Sequence, residues 1–209
     1  FDAKWTNKEA EENRQLANPD LIVGSMNFEG SANYHLPATF MIEDLSDEQF
    51  TNQKKVTSDT PFYLGFTSGS TGQAKAFLRS HHSWLASFTA GEKAFDYDKE
   101  DTTLATGPLC YSLSLFAALH ALHIGASICL LPNFTVEKTM QTIVSRKVSV
   151  VHAVPTMLAD LATHKAQVKH PITFVSAGAK LLPTVRENVT KVFPNSHIFE
   201  YYGASELSF

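Results

Sequence analysis

Between residues 102 and 200 short apolar or β-branched runs alternate with longer stretches of helical spacing, and this alternation leaves few folds open. Residues 102–106, 126–131, 148–154, 172–175 and 197–200 read as strands. Residues 113–122, 134–147, 156–163 and 183–193 read as the intervening helices, with Gly125 as a stop signal and Pro183 in a first turn. The predicted order is β-α-β-α-β-α-β-α-β. Strands separated by helices of this length are rejoined by right-handed crossovers. The fold class is therefore α/β, with largely parallel sheets covered by helices on both faces. Ligands in such folds sit beyond the carboxyl ends of strands.

The first hundred residues are less regular. Residues 4–16 are polar and helix-favouring, a solvated helix ending near Asn18-Pro19. Residues 21–23 and 39–42 read as short strands, with Gly30, Asn33 and Pro37 marking a loop between them. Residues 43–55 read as an exposed charged connection with no chemistry. Ser80 is a candidate N-cap for an amphipathic helix over 82–95, and the charged run 96–101 is a candidate boundary. The expected division is 1–96, the end of a first α/β subdomain, and 97–209, a second.

The chemistry concentrates in one loop. Pro61-Phe62-Tyr63-Leu64 gives way to Gly65-Phe66-Thr67-Ser68-Gly69-Ser70-Thr71-Gly72-Gln73-Ala74-Lys75, a strand entering a segment suited to phosphate, with a helix expected after it. Gly69 and Gly72 let backbone N–H groups approach an anion. Thr67, Ser68, Ser70 and Thr71 add hydroxyl donors, and Lys75 adds a cation. The P-loop NTPase pattern fails here, because Gln73 and Ala74 separate Gly72 from the lysine and Ala76 stands where a magnesium-binding hydroxyl belongs.

Residues 67–75 instead resemble the phosphate-binding loop of the acyl-adenylate-forming superfamily, which includes acyl-CoA synthetases, luciferases and nonribosomal peptide adenylation domains. The family's Pro and final Gly are replaced by Ala74 and Ala76. Four later segments match in order: Gly107-Pro108-Leu109-Cys110-Tyr111, Val154-Pro155-Thr156-Met157-Leu158, Ser176-Ala177-Gly178-Ala179-Lys180-Leu181 and Tyr202-Gly203-Ala204-Ser205-Glu206. The resemblance covers residues 59–206 and points most closely to acyl-CoA synthetases, or fatty acid–CoA ligases.

Glycines 178 and 203 remove Cβ where a flat base must lie on backbone, and Tyr201 and Tyr202 offer faces for stacking. The resemblance implies that Gly178 and Ala179 line the adenine of ATP and that Tyr202 stacks on it. It further implies that Ser205 reaches the α-phosphate and that Glu206 holds Mg²⁺, with Lys75, Thr67 and Glu206 as the catalytic set. Tyr111 stands where the family has a histidine beside the substrate carboxylate, and His152 is the alternative substrate contact or a hydrogen-bonded core residue. His81 matches a family histidine that either touches ligand or organises the loop. His120 and His123 share a helix face without a third ligand, which argues against a metal site.

The implied reaction joins a carboxylic acid, a fatty acid in this reading, to AMP with Mg-ATP and transfers the acyl group to coenzyme A. An adenylation domain that loads a carrier protein, or a silent ATP-binding relative, would carry the same motifs. The family's ribose-binding aspartate and C-terminal domain follow the last motif, so these 209 residues read as an internal fragment that is inactive alone. A net charge of −4 without basic runs gives no footprint for nucleic acid, and no apolar run is long enough to span a membrane. Cys110 and Cys129 read as free buried thiols, pointing to the cytoplasm. A homodimer stays open as an assembly.

Overall fold

The computed structural model describes residues 5–18, 21–23, 32–34, 56–68, 74–131 and 133–204. The chain divides into two units, Phe1–His81 and His82–Phe209.

In the first unit, α1 (Asn7–Ala17) starts at a capping box. The Glu9 N–H donates to the Thr6 hydroxyl at 3.3 Å, and the Thr6 N–H donates to the Glu9 carboxylate at 2.8 Å. The helix stops at Asn18, whose φ of 44° is left-handed. Strand β1 (Leu21–Val23) pairs in parallel with β2 (Ala32–Tyr34), Leu21 opposite Ala32. The sequence reading made this second segment loop. Three residues are too few to display a period of two, so the pairing partner decides the conformation. The strand expected at 39–42 and the connection at 43–55 lie outside the described residues.

Strands β3 (Pro61–Ser68) and β4 (Ala74–Ser80) form an antiparallel ribbon. This corrects the expectation of a strand ending near Leu64 and a loop leading straight into a helix. The strand runs on to Ser68, and the chain returns as a second strand before the helix begins. Gly65 stands opposite Phe77, and an added Cβ would overlap that ring. The glycine makes room for the aromatic cover. Trp5 meets Phe66 edge-on at 5.6 Å, while the His81 N–H donates to the Thr60 carbonyl and its ring lies 4.8 Å from Phe62. His81 therefore helps to organise the base of the ribbon.

Helix α2 (His81–Phe95) leads into the second unit, which follows the predicted order throughout: β5 (Thr102–Ala105), α3 (Ser112–Ile124), β6 (Ser127–Leu130), α4 (Val136–Ser145), β7 (Val150–Ala153), α5 (Pro155–Leu161), β8 (Ile172–Ser176), α6 (Pro183–Val192) and β9 (Ser196–Glu200). All five strands are parallel, in the order β6-β5-β7-β8-β9. Local signals place the helix ends: Thr135 caps α4 by accepting the Lys138 N–H, Pro155 and Pro183 open α5 and α6, and Gly125 closes α3 with φ 79°.

The sheet is covered on both faces. On one, Leu104, Val151, Ala153, Ile172 and Phe174 pack with Met140 and Ile143 of α4, Leu158 and Leu161 of α5, and Val189 and Val192 of α6. Each fully buried large side chain here contributes about 1.5–3 kcal/mol. The other face is aromatic. Phe116 of α3 lies 5.2 Å from Phe88 and 6.2 Å from His152, and Phe95 lies 5.3 Å from Phe199. Phe88 and Phe95 of α2 thus pack on α3 and β9. No helix among the described residues is long and apolar enough to cross a membrane. Cys110 and Cys129 are free, as expected, although half-buried rather than fully enclosed.

The substitution Gly65→Ala forces the Phe77 ring aside and is expected to destabilise the protein by about 1–3 kcal/mol, read from urea denaturation. Unchanged stability would mean that the ring swings away freely.

Candidate functional site

The ladder between β8 and β9 ends with Ser176 opposite Glu200. One further bond, from the Tyr201 N–H to the Ser176 carbonyl at 3.0 Å, carries the pairing past the strand ends. Beyond it the two segments line an open cavity of about 460 Å³, formed by Gly178, Ala179, Lys180, Glu200, Tyr201, Tyr202 and Gly203. Five of these seven are the residues that the sequence nominated for a base-binding slot. They come from two stretches some twenty residues apart.

Gly178 has φ 90°, a conformation open to glycine and strained for other residues, and an added Cβ would lie 3.5 Å from Val154 Cγ1. The two tyrosines divide the labour that the sequence left shared between them. Tyr201 is half-buried with its ring 6.0 Å from Phe95, and burial pushes its phenol above the usual range. Tyr202 is 92% exposed and presents an open face at the cavity. Glu200 was overlooked in the sequence, where it reads as an ordinary strand-end carboxylate. Its Oε1 accepts the Leu181 N–H at 2.8 Å. Lys180, quoted only as part of a motif, is the lining cation.

The other nominated residues lie elsewhere. Thr67 and Lys75 occupy directly opposed positions of the β3–β4 ribbon, with Ser68 opposite Ala74, so the pairing brings two members of the expected catalytic set together. Lys75 is exposed. Gly69, Ser70, Thr71 and Gly72, together with Ser205 and Glu206, lie outside the described residues, and so does the expected magnesium ligand. Among the described residues no group of three or more His, Cys, Asp or Glu side chains is arranged to hold a metal ion.

Tyr111 is the N-cap residue of α3, 45% exposed, just past the carboxyl end of β5. His152 is different in kind. It sits inside the sheet at 2% exposure, its Nε2 3.1 Å from the Tyr97 hydroxyl, and desolvation pulls its pKa down to about 3. This is the hydrogen-bonded core position that the sequence also allowed. His120, 2% exposed, stacks on Phe88 at 5.1 Å with its Nε2 3.7 Å from Glu92 Oε1; desolvation lowers its pKa although Glu92 opposes the shift.

Comparison with known proteins adds to this geometry. The family model described as AMP-binding enzyme matches residues 3–209. The chain belongs to the AMP-binding enzyme family. An uncharacterized acyl-CoA ligase of Bacillus subtilis, YhfT, is 32% identical over all of this chain and 44% of its own length. VraA of Staphylococcus epidermidis, provisionally named a long chain fatty acid-CoA ligase, is 34% identical over 78% of this chain and 36% of its own. The chain thus spans less than half the length of these curated relatives. Among solved structures, O-succinylbenzoate coenzyme A synthetase (MenE) of Bacillus subtilis, in complex with ATP and magnesium ion, superposes with a TM-score of 0.82 at 18% identity, covering all of this chain and 44% of that one. At that identity the likeness establishes the fold shared with this AMP-binding chain.

Two predictions follow from the geometry of this AMP-binding domain. Ordinary histidine titrates near 6.5, so above that pH His152 is neutral both folded and unfolded. Below it the unfolded chain takes up a proton that the buried ring refuses. The contribution of His152 to stability should therefore fall by about 1.4 kcal/mol per pH unit from about 6 towards 4, and His152→Leu should reduce the slope by that amount in urea titrations, leaving the part due to His120. Gly178→Ala should cost about 1–2 kcal/mol through its left-handed backbone, read as a lowered thermal midpoint.

Proposed function

We propose that the chain is part of an acyl-CoA ligase that activates a carboxylic acid, a fatty acid in our reading, with Mg-ATP and passes the acyl group to coenzyme A. The observation that carries the proposal is the cavity at the ends of β8 and β9. Its glycine backbone on one side and its exposed tyrosine face suit a flat heterocycle, and five of the seven lining residues, Gly178, Ala179, Lys180, Tyr202 and Gly203, belong to the two matching motifs. The relatives named as acyl-CoA ligases, one of them for long-chain fatty acids, support the acid and acceptor classes.

In this reading Gly178, Ala179 and Gly203 admit the adenine, and Tyr202 stacks on it. The segment 67–72 offers N–H and hydroxyl donors to the phosphates, and Lys75 adds its ammonium opposite Thr67. Ser205 reaches the α-phosphate, and Glu206 would hold Mg²⁺, which neutralises phosphate charge when bound. Oxygen of the carboxylate attacks the α-phosphorus, the bond to the β-phosphate oxygen breaks, and acyl-AMP and pyrophosphate form. The thiol of coenzyme A then displaces AMP. Catalysis is positioning and charge neutralisation, since the developing negative charge lies on phosphate oxygens. Tyr111 donates one hydrogen bond near the carboxylate in place of the family histidine. As part of the same proposal, residues 1–96 and 97–209 belong to successive subdomains of a longer, cytoplasmic enzyme.

A second reading is favoured by one residue. Tyr111 cannot become a cation at neutral pH, which suits a relative that binds ATP without turning it over.

The test is carboxylate-dependent exchange of labelled pyrophosphate into ATP by the full-length gene product, over short, medium, long-chain and aromatic acids. Exchange with long-chain acids is expected, and binding of Mg-ATP with no exchange on any acid would favour the silent relative. Lys75→Ala is expected to lower exchange about a hundredfold without unfolding, because the side chain is exposed. An unchanged rate would remove Lys75 from the catalytic set.

A further inference from the structure

We propose that Glu200 is a positioning residue for the nucleotide base, acting through the backbone of the segment that forms the glycine side of the cavity. The inference rests on the reading of that cavity as the base slot. The segment leaves β8 after Ser176 and enters the core again at Leu181, which is 4% exposed. Both of its ends are tied to β9. At the near end the Tyr201 N–H donates to the Ser176 carbonyl at 3.0 Å, and at the far end the Leu181 N–H donates to Glu200 Oε1 at 2.8 Å. Glu200 thus spans the mouth of the loop and fixes its length. Strand β9 is itself held from behind, where Arg186 of α6 donates to the Ile198 carbonyl at 2.8 Å.

The latch matters because of what it restrains. Gly178 stands at φ 90° midway along the loop, without a side chain of its own to hold it against the cavity. Residues 178–180 are exposed, so little burial opposes their movement. Without the carboxylate the Leu181 N–H loses its acceptor, and the loop keeps only its near-end tie. A base binding there would then have to order the loop as well as fill the slot.

The experiment measures AMP binding by calorimetry to the full-length protein and to its Glu200→Ala, Glu200→Gln and Tyr202→Ala variants, alongside amide exchange at Leu181 in the wild type. Tyr202 is exposed, so its truncation tests the slot with little effect on folding. Glutamine keeps an acceptor oxygen on a side chain of the same length. The expected result is a Kd raised about tenfold by Glu200→Ala, near the wild-type value in Glu200→Gln, and raised by Tyr202→Ala, with slow Leu181 exchange. If Tyr202→Ala weakens AMP but Glu200→Ala does not, the latch is overturned and the slot stands. If both leave AMP binding unchanged, the slot reading falls and takes the latch with it. Equal loss in alanine and glutamine variants overturns the latch in favour of a charge effect. Should the alanine variant fail to fold, rapid Leu181 exchange in the wild type overturns the proposal without it.

Discussion

Parallel strands cannot be joined by a tight turn, because the end of one lies a full strand length from the start of the next. Each connection must therefore cross a face of the sheet, and here α3 to α6 do so between successive members of β5 to β9. Two consequences are built in. Both faces become covered, so β7 is buried at every position, and all five carboxyl ends fall along one edge. Segments far apart in sequence, at 106–111, 154–158, 176–181 and 200–203, become neighbours on that edge without any need to approach each other in the chain. Cross-strand bonds then fix their spacing, among them Thr106 Oγ1 donating to the His152 carbonyl at 2.8 Å.

The two faces differ in chemistry because they are roofed differently. Helices α4, α5 and α6 bring Met, Ile, Leu and Val, and that face is a buried apolar packing surface. Helices α2 and α3 bring Phe88, Phe95, Phe116 and His120 over His152, with Tyr97 alongside. Polar rings there must find partners or stay neutral, since a buried charge is costly. Tyr97 shows this. Its phenol is pushed above the ordinary range by burial, while the His152 imidazole it meets is pushed down, so neither ionises near neutral pH. Titratable groups held in this way stay neutral in the interior.

This division also explains what was legible in the sequence. Strands β5, β7 and β8 declare themselves because burial on two faces demands continuous apolar runs, while the partly exposed edge strands β6 and β9 are marked by short apolar stretches between the helices. The proline and glycine signals around α3, α5 and α6 are local. Strand β4 is hidden because Ala76, Phe77 and Leu78 break the alternation of a half-exposed strand; pairing with β3, known only in three dimensions, makes it one. Residue type alone does not separate the tyrosines at 201 and 202; the superfamily resemblance singles out Tyr202. Their separation into a packed ring and an open one depends on Phe95, more than a hundred residues away. Glu200 escaped for a similar reason: a strand-end glutamate carries no signal until the backbone of Leu181 is seen beside it.

The places where the chain departs from the superfamily pattern can be sorted by what each supports. Ala76, where the pattern has glycine, is a strand residue opposite Phe66. Alanine there loses less backbone freedom on folding than glycine would, so the change favours the ribbon. Lys180 stands where the matching superfamily segment, Ser-Gly-Gly-Ala-Pro-Leu, has proline, and it adds a cation to the cavity lining. Tyr111 is another matter. It is the N-cap residue of α3, and its side chain makes no capping bond to that helix. Tyrosine and histidine differ at this position in proton chemistry: one donor that stays neutral, where an imidazole would be able to carry charge.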